Sequence, residues 1–110
     1  RRAIGGSPDT SVMVQVELPA TLRRFAGISE ETWVEIPGPP TIDAVLDALD
    51  AKYPTLRGTI RDPLTGQRRP YLRYFACQQD VSFESTSDPL PNAIAAGQEP
   101  LIVMGAISGG

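Results

Sequence analysis

At 110 residues the chain fits one domain built around one core. Its net charge of −3 disfavours a phosphate-backbone binder, and no apolar stretch approaches the ~20 residues of a membrane span. One cysteine (Cys77) and no histidine exclude an internal disulfide framework, Ser-His or Cys-His nucleophile pairs and histidine-based metal sites. Any catalysis would rest on carboxylates or on the single lysine, Lys52. Composition thus argues against a self-contained enzyme, and the lone cysteine fits a reducing, cytoplasmic setting. The opening "RRAIGGSPDT" is basic and then polar, with no secretory apolar region. Residues 1–10 are set aside as a disordered N-terminal segment or a cloning remnant.

In chain order, "SVMVQVEL" alternates: Val12, Val14, Val16 and Leu18 share one face, and Met13, Gln15 and Glu17 the other. Period two with β-branched residues predicts a half-buried strand. "PATLRRFAG" predicts a short helix with Leu22, Phe25 and Ala26 at helical spacing and Gly27 as its stop. "TWVEIPG" predicts a second strand, ended by Pro37, Gly38, Pro39 and Pro40; Trp33 points outward on an edge, as a partner anchor or a lid over the proline run.

"TIDAVLDALDAKYP" predicts the main helix. Thr41 caps it, and Ile42, Val45, Leu46, Leu49 and Tyr53 form one apolar stripe. Asp43, Asp47 and Asp50 take the wet side, where a solvated face explains them better than a metal site does. Pro54 stops the helix.

After it, Leu56 and Ile60 are expected to pin a connecting turn to the core, "DPLTG" to turn, and Arg68 and Arg69 to be a solvated basic spot. "YLRYFAC" predicts a third strand, "QQD" a turn, "VSFES" a short fourth strand and "NAIAA" one helical turn. "LIVM" predicts a central last strand, apolar on both faces. The order predicts an α+β fold: a mixed four- to five-stranded sheet with one main helix across one face, a roll of the β-grasp type.

The chain then ends "GAISGG". At an average glycine usage of about 7%, two terminal glycines arise by chance roughly once in 200 chains. Together with "LPATLRRFAG", "TIDAVLDALDAKYPTLR" and "DVSF", this ending resembles the ubiquitin-like sulfur carriers of the ThiS and MoaD families. The likeness runs from about Val12 to Gly110. It implies a β-grasp body (11–105), a flexible tail (106–110), and a mechanism. A ubiquitin-activator-like enzyme would use ATP to adenylate the terminal carboxylate, and sulfur would replace the adenylate to give a thiocarboxylate. A sulfur-acceptor enzyme or synthase subunit would receive that sulfur for cofactor, amino-acid or other metabolite biosynthesis.

Carried over by position, Gly110 supplies the reacting carboxyl and Gly109 the slim approach to it, since glycine passes a narrow channel and adopts angles closed to other residues. No catalytic side chain, bound cofactor, nucleic acid or membrane is implied. The alternatives are a modifier conjugated through the same glycine, and a β-grasp interaction domain that is not conjugated. The sequence departs from the family pattern at Gly105, where proline is common, at Ser108, where alanine is common, and at "CQQD", where Asn-Gly or Asn-Asp turns the third strand; a longer or different turn is expected there.

Alternation also yields a candidate docking surface. With Leu72, Tyr74, Ala76, Leu101 and Val103 facing inward, Arg73, Phe75, Ile102 and Met104 face outward and join Met13 in an apolar patch edged by Arg73. This patch, with Gly105, Ala106, Ile107 and Ser108 of the tail root, is expected to meet the activating enzyme or the sulfur acceptor. Cys77 is read as a small turn residue rather than a sulfur relay, since nothing nearby in sequence is placed to lower its pKa.

Overall fold

In a computed structural model that describes residues 11–105, alternation and helical period resolve into the expected elements. They are β1 (Ser11–Glu17), α1 (Ala20–Ala26), β2 (Thr32–Pro37), α2 (Ile42–Lys52), a 3-10 turn (Pro54–Leu56), β3 (Leu72–Ala76), β4 (Gln79–Asp80), α3 (Asn92–Ala95) and β5 (Leu101–Gly105). Strand order is β2-β1-β5-β3-β4. β1 runs antiparallel to β2 and parallel to β5, while β3 runs antiparallel to β5 and β4. The last strand therefore lies between the first and the third.

One face of this sheet is covered. Val14, Val16, Val34, Ile36, Leu72, Tyr74, Leu101 and Val103 are buried there against Ile42, Val45, Leu46 and Leu49 of α2. Thr41 starts α2 by accepting a hydrogen bond from the Ala44 N–H at 3.0 Å, which satisfies a donor the first turn leaves free. Leu56 and Ile60 close the far end of the core, as expected. The other face is not covered by a helix, and Met104 on β5 is 47% exposed. As the alternation of β5 predicts, its outward residues Ile102 and Met104 lie on the open face.

The wet side of α2 is tied down. Arg61 reaches across to Asp43 at 3.8 Å, to Asp50 at 3.3 Å and to Asp47. Burial works to lower the Arg61 pKa, but hydrogen bonds and charge from Asp47 and then Asp50 raise it overall, so the guanidinium stays charged. One cation thus offsets the repulsion of three aspartates at i, i+4 and i+7 on one helix.

Three local expectations are corrected. Phe25 does not turn inward with Leu22 and Ala26; it is 62% exposed. Arg68 and Arg69 are not a solvated spot. Arg68 donates to the Leu72 carbonyl at 2.6 Å and the Ser82 carbonyl at 3.3 Å, and Arg69 donates twice to the Gly58 carbonyl. Arg69 braces a loop carbonyl, and Arg68 ties the start of β3 to the Ser82 carbonyl. The fourth strand is Gln79–Asp80, not "VSFES". The Ser82 side chain explains why: its Oγ accepts the Tyr74 N–H at 2.8 Å, the bond that a longer β4 would have made. The chain then turns away, with the Glu84 N–H bonded to the Val81 carbonyl.

The β3–β4 turn is also not lengthened. Ala76 pairs with Gln79, which leaves Cys77 and Gln78 as a two-residue loop with φ of 52° and 69°. Both signs match the type I′ hairpin turn, which favours Asn-Gly. Left-handed backbone costs a non-glycine residue roughly 1–2 kcal/mol. Gln78 is exposed and makes no side-chain bond that glycine would lose. Gln78→Gly is expected to stabilise the fold by about 0.5–1 kcal/mol after glycine's own entropy cost. Thermal unfolding checks this, as a rise in Tm of about 4–8 °C per kcal/mol.

Candidate functional site

Register decides which predicted site residues meet. Across β3 and β5, Phe75 lies opposite Ile102 and Arg73 opposite Met104. These four share the open face. β1 lies on the far side of β5, with Glu17 beside Ile102. Met13 is four residues back along β1, ~13 Å away at strand rise. The expected single patch is therefore split: Phe75, Ile102, Met104 and Arg73 cluster, and Met13 stands apart with Gln15 and Glu17 between. Met13 neighbours Glu35, its partner on β2, and its carbonyl lies 3.5 Å from where a Cβ on Gly97 would stand.

Trp33 belongs to that separate end. It sits on the edge strand as expected, but it is not a lid over the proline run. Its indole would meet a Gly97 Cβ at 3.3 Å, and Gly97 has φ of +75°, so the ring lies on the loop that leads into β5. Its Nε1 donates to Glu31, and its carbonyl accepts from Lys52 Nζ at 2.8 Å. That bond blunts the open edge of β2. The proline run is occupied elsewhere: the Pro40 carbonyl accepts from the Leu90 N–H at 2.8 Å.

Phe83 enlarges the clustered patch. It is 78% exposed, and the guanidinium groups of Arg68 and Arg73 lie 4.9 Å and 5.2 Å from its ring centre. Arg73 also pairs with Asp80 at 3.1 Å. The Ser82 hydroxyl and backbone N–H, and then Arg73, hold the Asp80 carboxyl below its usual range. The result is an apolar strip (Phe75, Ile102, Met104, Phe83) bordered by two arginines and the carboxylates of Glu17 and Asp80. Sequence reasoning missed Phe83 because it was placed in a strand. An aromatic residue between Asp80 and the proline-containing "DPLP" loop was the available signal.

The strip ends at the tail root. Gly105 is the last residue of β5, opposite Leu72. It also lines a groove of about 570 Å³ with Pro19, Leu22, Phe25, Tyr71 and Leu72. A Cβ on Gly105 would meet nothing within 4 Å. Ala106, Ile107, Ser108, Gly109 and Gly110, all named from sequence as site residues, lie outside the described residues. Cys77 is the first central residue of the β3–β4 turn, half-buried, as its reading as a turn residue expects. A second hollow of about 720 Å³ is lined by Asp47, Asp50, Arg61 and Asp62. Its charges are largely paired with one another. Among the described residues no helix is long and apolar enough to cross a membrane.

No known family profile and no curated protein matches the chain. Solved structures do. SAMP1 from Haloferax volcanii is 22% identical, with a TM-score of 0.68 over 89% of this chain and 99% of its own. The small archaeal modifier protein 1 of Methanosarcina acetivorans is 21% identical, with a TM-score of 0.65 over 91% of this chain and 98% of its own. A chain of the BexX/CysO complex from Amycolatopsis orientalis is 18% identical, with a TM-score of 0.65 over 88% and 99%.

The fold is the ubiquitin-like β-grasp.

Within a β-grasp body the central β5 delivers the chain to one end of the sheet, and here that end joins the apolar strip on one face to the Gly105 groove on the other. The site is thus organised around the point where residue 105 hands over to residue 106.

Proposed function

We propose that this protein is a ubiquitin-like sulfur carrier that works through the carboxylate of Gly110. The supporting observation is the β-grasp body whose central strand ends at Gly105, three residues short of the Gly109-Gly110 pair. A carboxylate is a poor electrophile and needs activation. In the proposed cycle the Gly110 carboxylate attacks the α-phosphate of ATP in a partner adenylating enzyme, and pyrophosphate leaves. A sulfur nucleophile then attacks the acyl carbon, AMP leaves, and a thiocarboxylate remains for an acceptor enzyme. The carrier itself binds no cofactor in this scheme. Arg73, Phe75, Ile102, Met104 and Phe83 provide the docking face: aromatic and arginine side chains around an apolar centre suit a protein partner.

A second reading, conjugation to proteins through the same glycine, is favoured by the likeness to small archaeal modifier protein 1. Incubation with a cognate activating enzyme, ATP and a sulfur donor, followed by intact mass spectrometry, separates the two. The expected product gains the mass difference between sulfur and oxygen, and deletion of Gly110 abolishes the gain. Heavier covalent adducts in place of that product would establish the modifier reading. Unchanged function after the deletion would overturn both and leave an interaction domain.

A further inference from the structure

We propose that the groove at the Gly105 end of the body is a second docking surface, and that its occupant is a partner-protein segment carrying a large apolar side chain flanked by carboxylates. The groove holds about 570 Å³, and no residue of its lining is charged; Pro19, Leu22, Phe25, Tyr71, Leu72 and Gly105 give it its apolar character. Phe25 is 62% and Tyr71 56% exposed, so two aromatic rings stand in water at its rim. Thr59 also lines it, but its hydroxyl already donates to the Leu56 carbonyl at 2.6 Å and asks for no partner. Aromatic rings beside an aliphatic hollow are the kind of surface on which protein partners anchor a side chain.

Charge decides what the occupant must be. The chain carries a net −3, yet the segments that build the groove, 19–25, 57–59 and 69–72, hold four arginines and no aspartate or glutamate. Two of the four are engaged elsewhere. Arg23 lines a hollow on the other side of α1 with Glu17, Glu30 and Glu31. Arg69 donates to the Gly58 carbonyl at 3.0 Å and 2.8 Å and lies 3.9 Å from Asp62. Arg24 and Arg57 are exposed and form no ion pair with any described residue. Both border the lining: Arg24 stands one helical turn on from Thr21, and Arg57 directly precedes Gly58. An apolar floor between two uncommitted guanidinium groups is the complement of an apolar side chain between carboxylates. A nucleic acid fits less well, because its phosphates would meet an acidic chain and the three glutamates beyond α1.

This surface does not depend on the proposed function, whose docking strip lies on the other face of the sheet. Its test is selection of random displayed peptides on the immobilised full chain, followed by NMR titration of the best peptide. The recovered sequences are expected to place Leu, Met, Phe or Trp between Asp or Glu residues. The peptide is expected to shift the Phe25 and Tyr71 ring resonances and to bind more weakly as salt rises. Phe25→Ala and Arg57→Glu, at exposed positions that the core does not use, are each expected to weaken it at least about fivefold. Recovery of basic or uncharged peptides, recovery of none, or binding that neither variant weakens overturns the proposal. So does a labelled oligouridylate that binds and shifts the same rings, which would assign the groove to nucleic acid. Ring shifts of the free chain that change on dilution overturn it as well, in favour of a second copy. A chain that forms the thiocarboxylate yet selects no acidic apolar peptide loses this inference alone.

Discussion

Tyr74→Phe is expected to remove most of the alkaline limb of the stability profile. Tyr74 lies in the middle of β3 and is 1% exposed. Burial pushes its phenol up to about 12; Arg61 and Arg68 pull it down in part, and Asp43 and Asp50 push it further up. In the unfolded chain the same group ionises near its ordinary value of 10. A folded pKa above the unfolded one means that the stability is fully present below pH 10 and is lost as pH rises through 12. At 1.36 kcal/mol per unit, two units amount to roughly 3 kcal/mol. That is a large share of the 5–15 kcal/mol typical of a domain. Urea midpoints of wild type and Tyr74→Phe, taken below pH 10 and again near 12, measure it. Equal alkaline losses in the two proteins would show that the Tyr74 ring is not held neutral by burial.

The residues around Tyr74 also show where sequence reading succeeds. The stripe on α2 was legible because Ile42, Val45, Leu46 and Leu49 repeat with the helical period, and nothing but a packed face produces that spacing. Inward and outward assignments on β1, β3 and β5 were legible because strand period is two and the buried set is aliphatic apart from the aromatic Tyr74. Alternation, however, says nothing of register between strands distant in sequence. The split between Met13 and the Phe75–Ile102 pair follows from Glu17 standing beside Ile102, a fact of parallel pairing across 85 positions of chain. The carbonyls that Arg68 and Arg69 satisfy come from residues 58, 72 and 82, brought together only by the fold. The Cys77-Gln78 turn was illegible for a different reason. Its backbone adopts a conformation that neither residue type prefers, so local chemistry pointed away from it.

The tail root was legible in part. Gly105 was singled out as a departure from the proline common there and as part of the tail root expected to meet a partner. Its place opposite Leu72, on the lining of a groove that α1 helps to form, could not be read from the sequence. Phe25 shares helical spacing with Leu22 and Ala26 in the sequence. A helix of seven residues has one narrow half-buried edge, and Leu22 and Ala26 occupy it. Phe25 is left on the rim of that groove.

Ser82→Ala is expected to cost about 1–3 kcal/mol, more than a surface serine warrants. Ser82 is 7% exposed, and its Oγ takes the N–H of Tyr74 at 2.8 Å. Alanine leaves that donor buried beside a strand too short to reach it, since β4 stops at Asp80. The cost is the desolvation of an unpartnered amide, not merely one lost hydrogen bond. The same change frees the Asp80 carboxyl from a hydroxyl that helps hold its pKa low. A carboxylate depressed in the folded state adds stability above its unfolded pKa and loses it as pH falls through the folded one. Ser82→Ala should therefore also shrink the part of the stability that Asp80 loses as pH falls. Ser82→Thr keeps the hydroxyl and should recover most of the loss. Amide hydrogen exchange localises the effect: Tyr74 is expected to lose protection relative to Arg73 and Phe75, whose groups pair toward β5. A Tyr74 amide as protected in Ser82→Ala as in wild type would mean that another acceptor takes its place, and that β4 ends at Asp80 for some other cause.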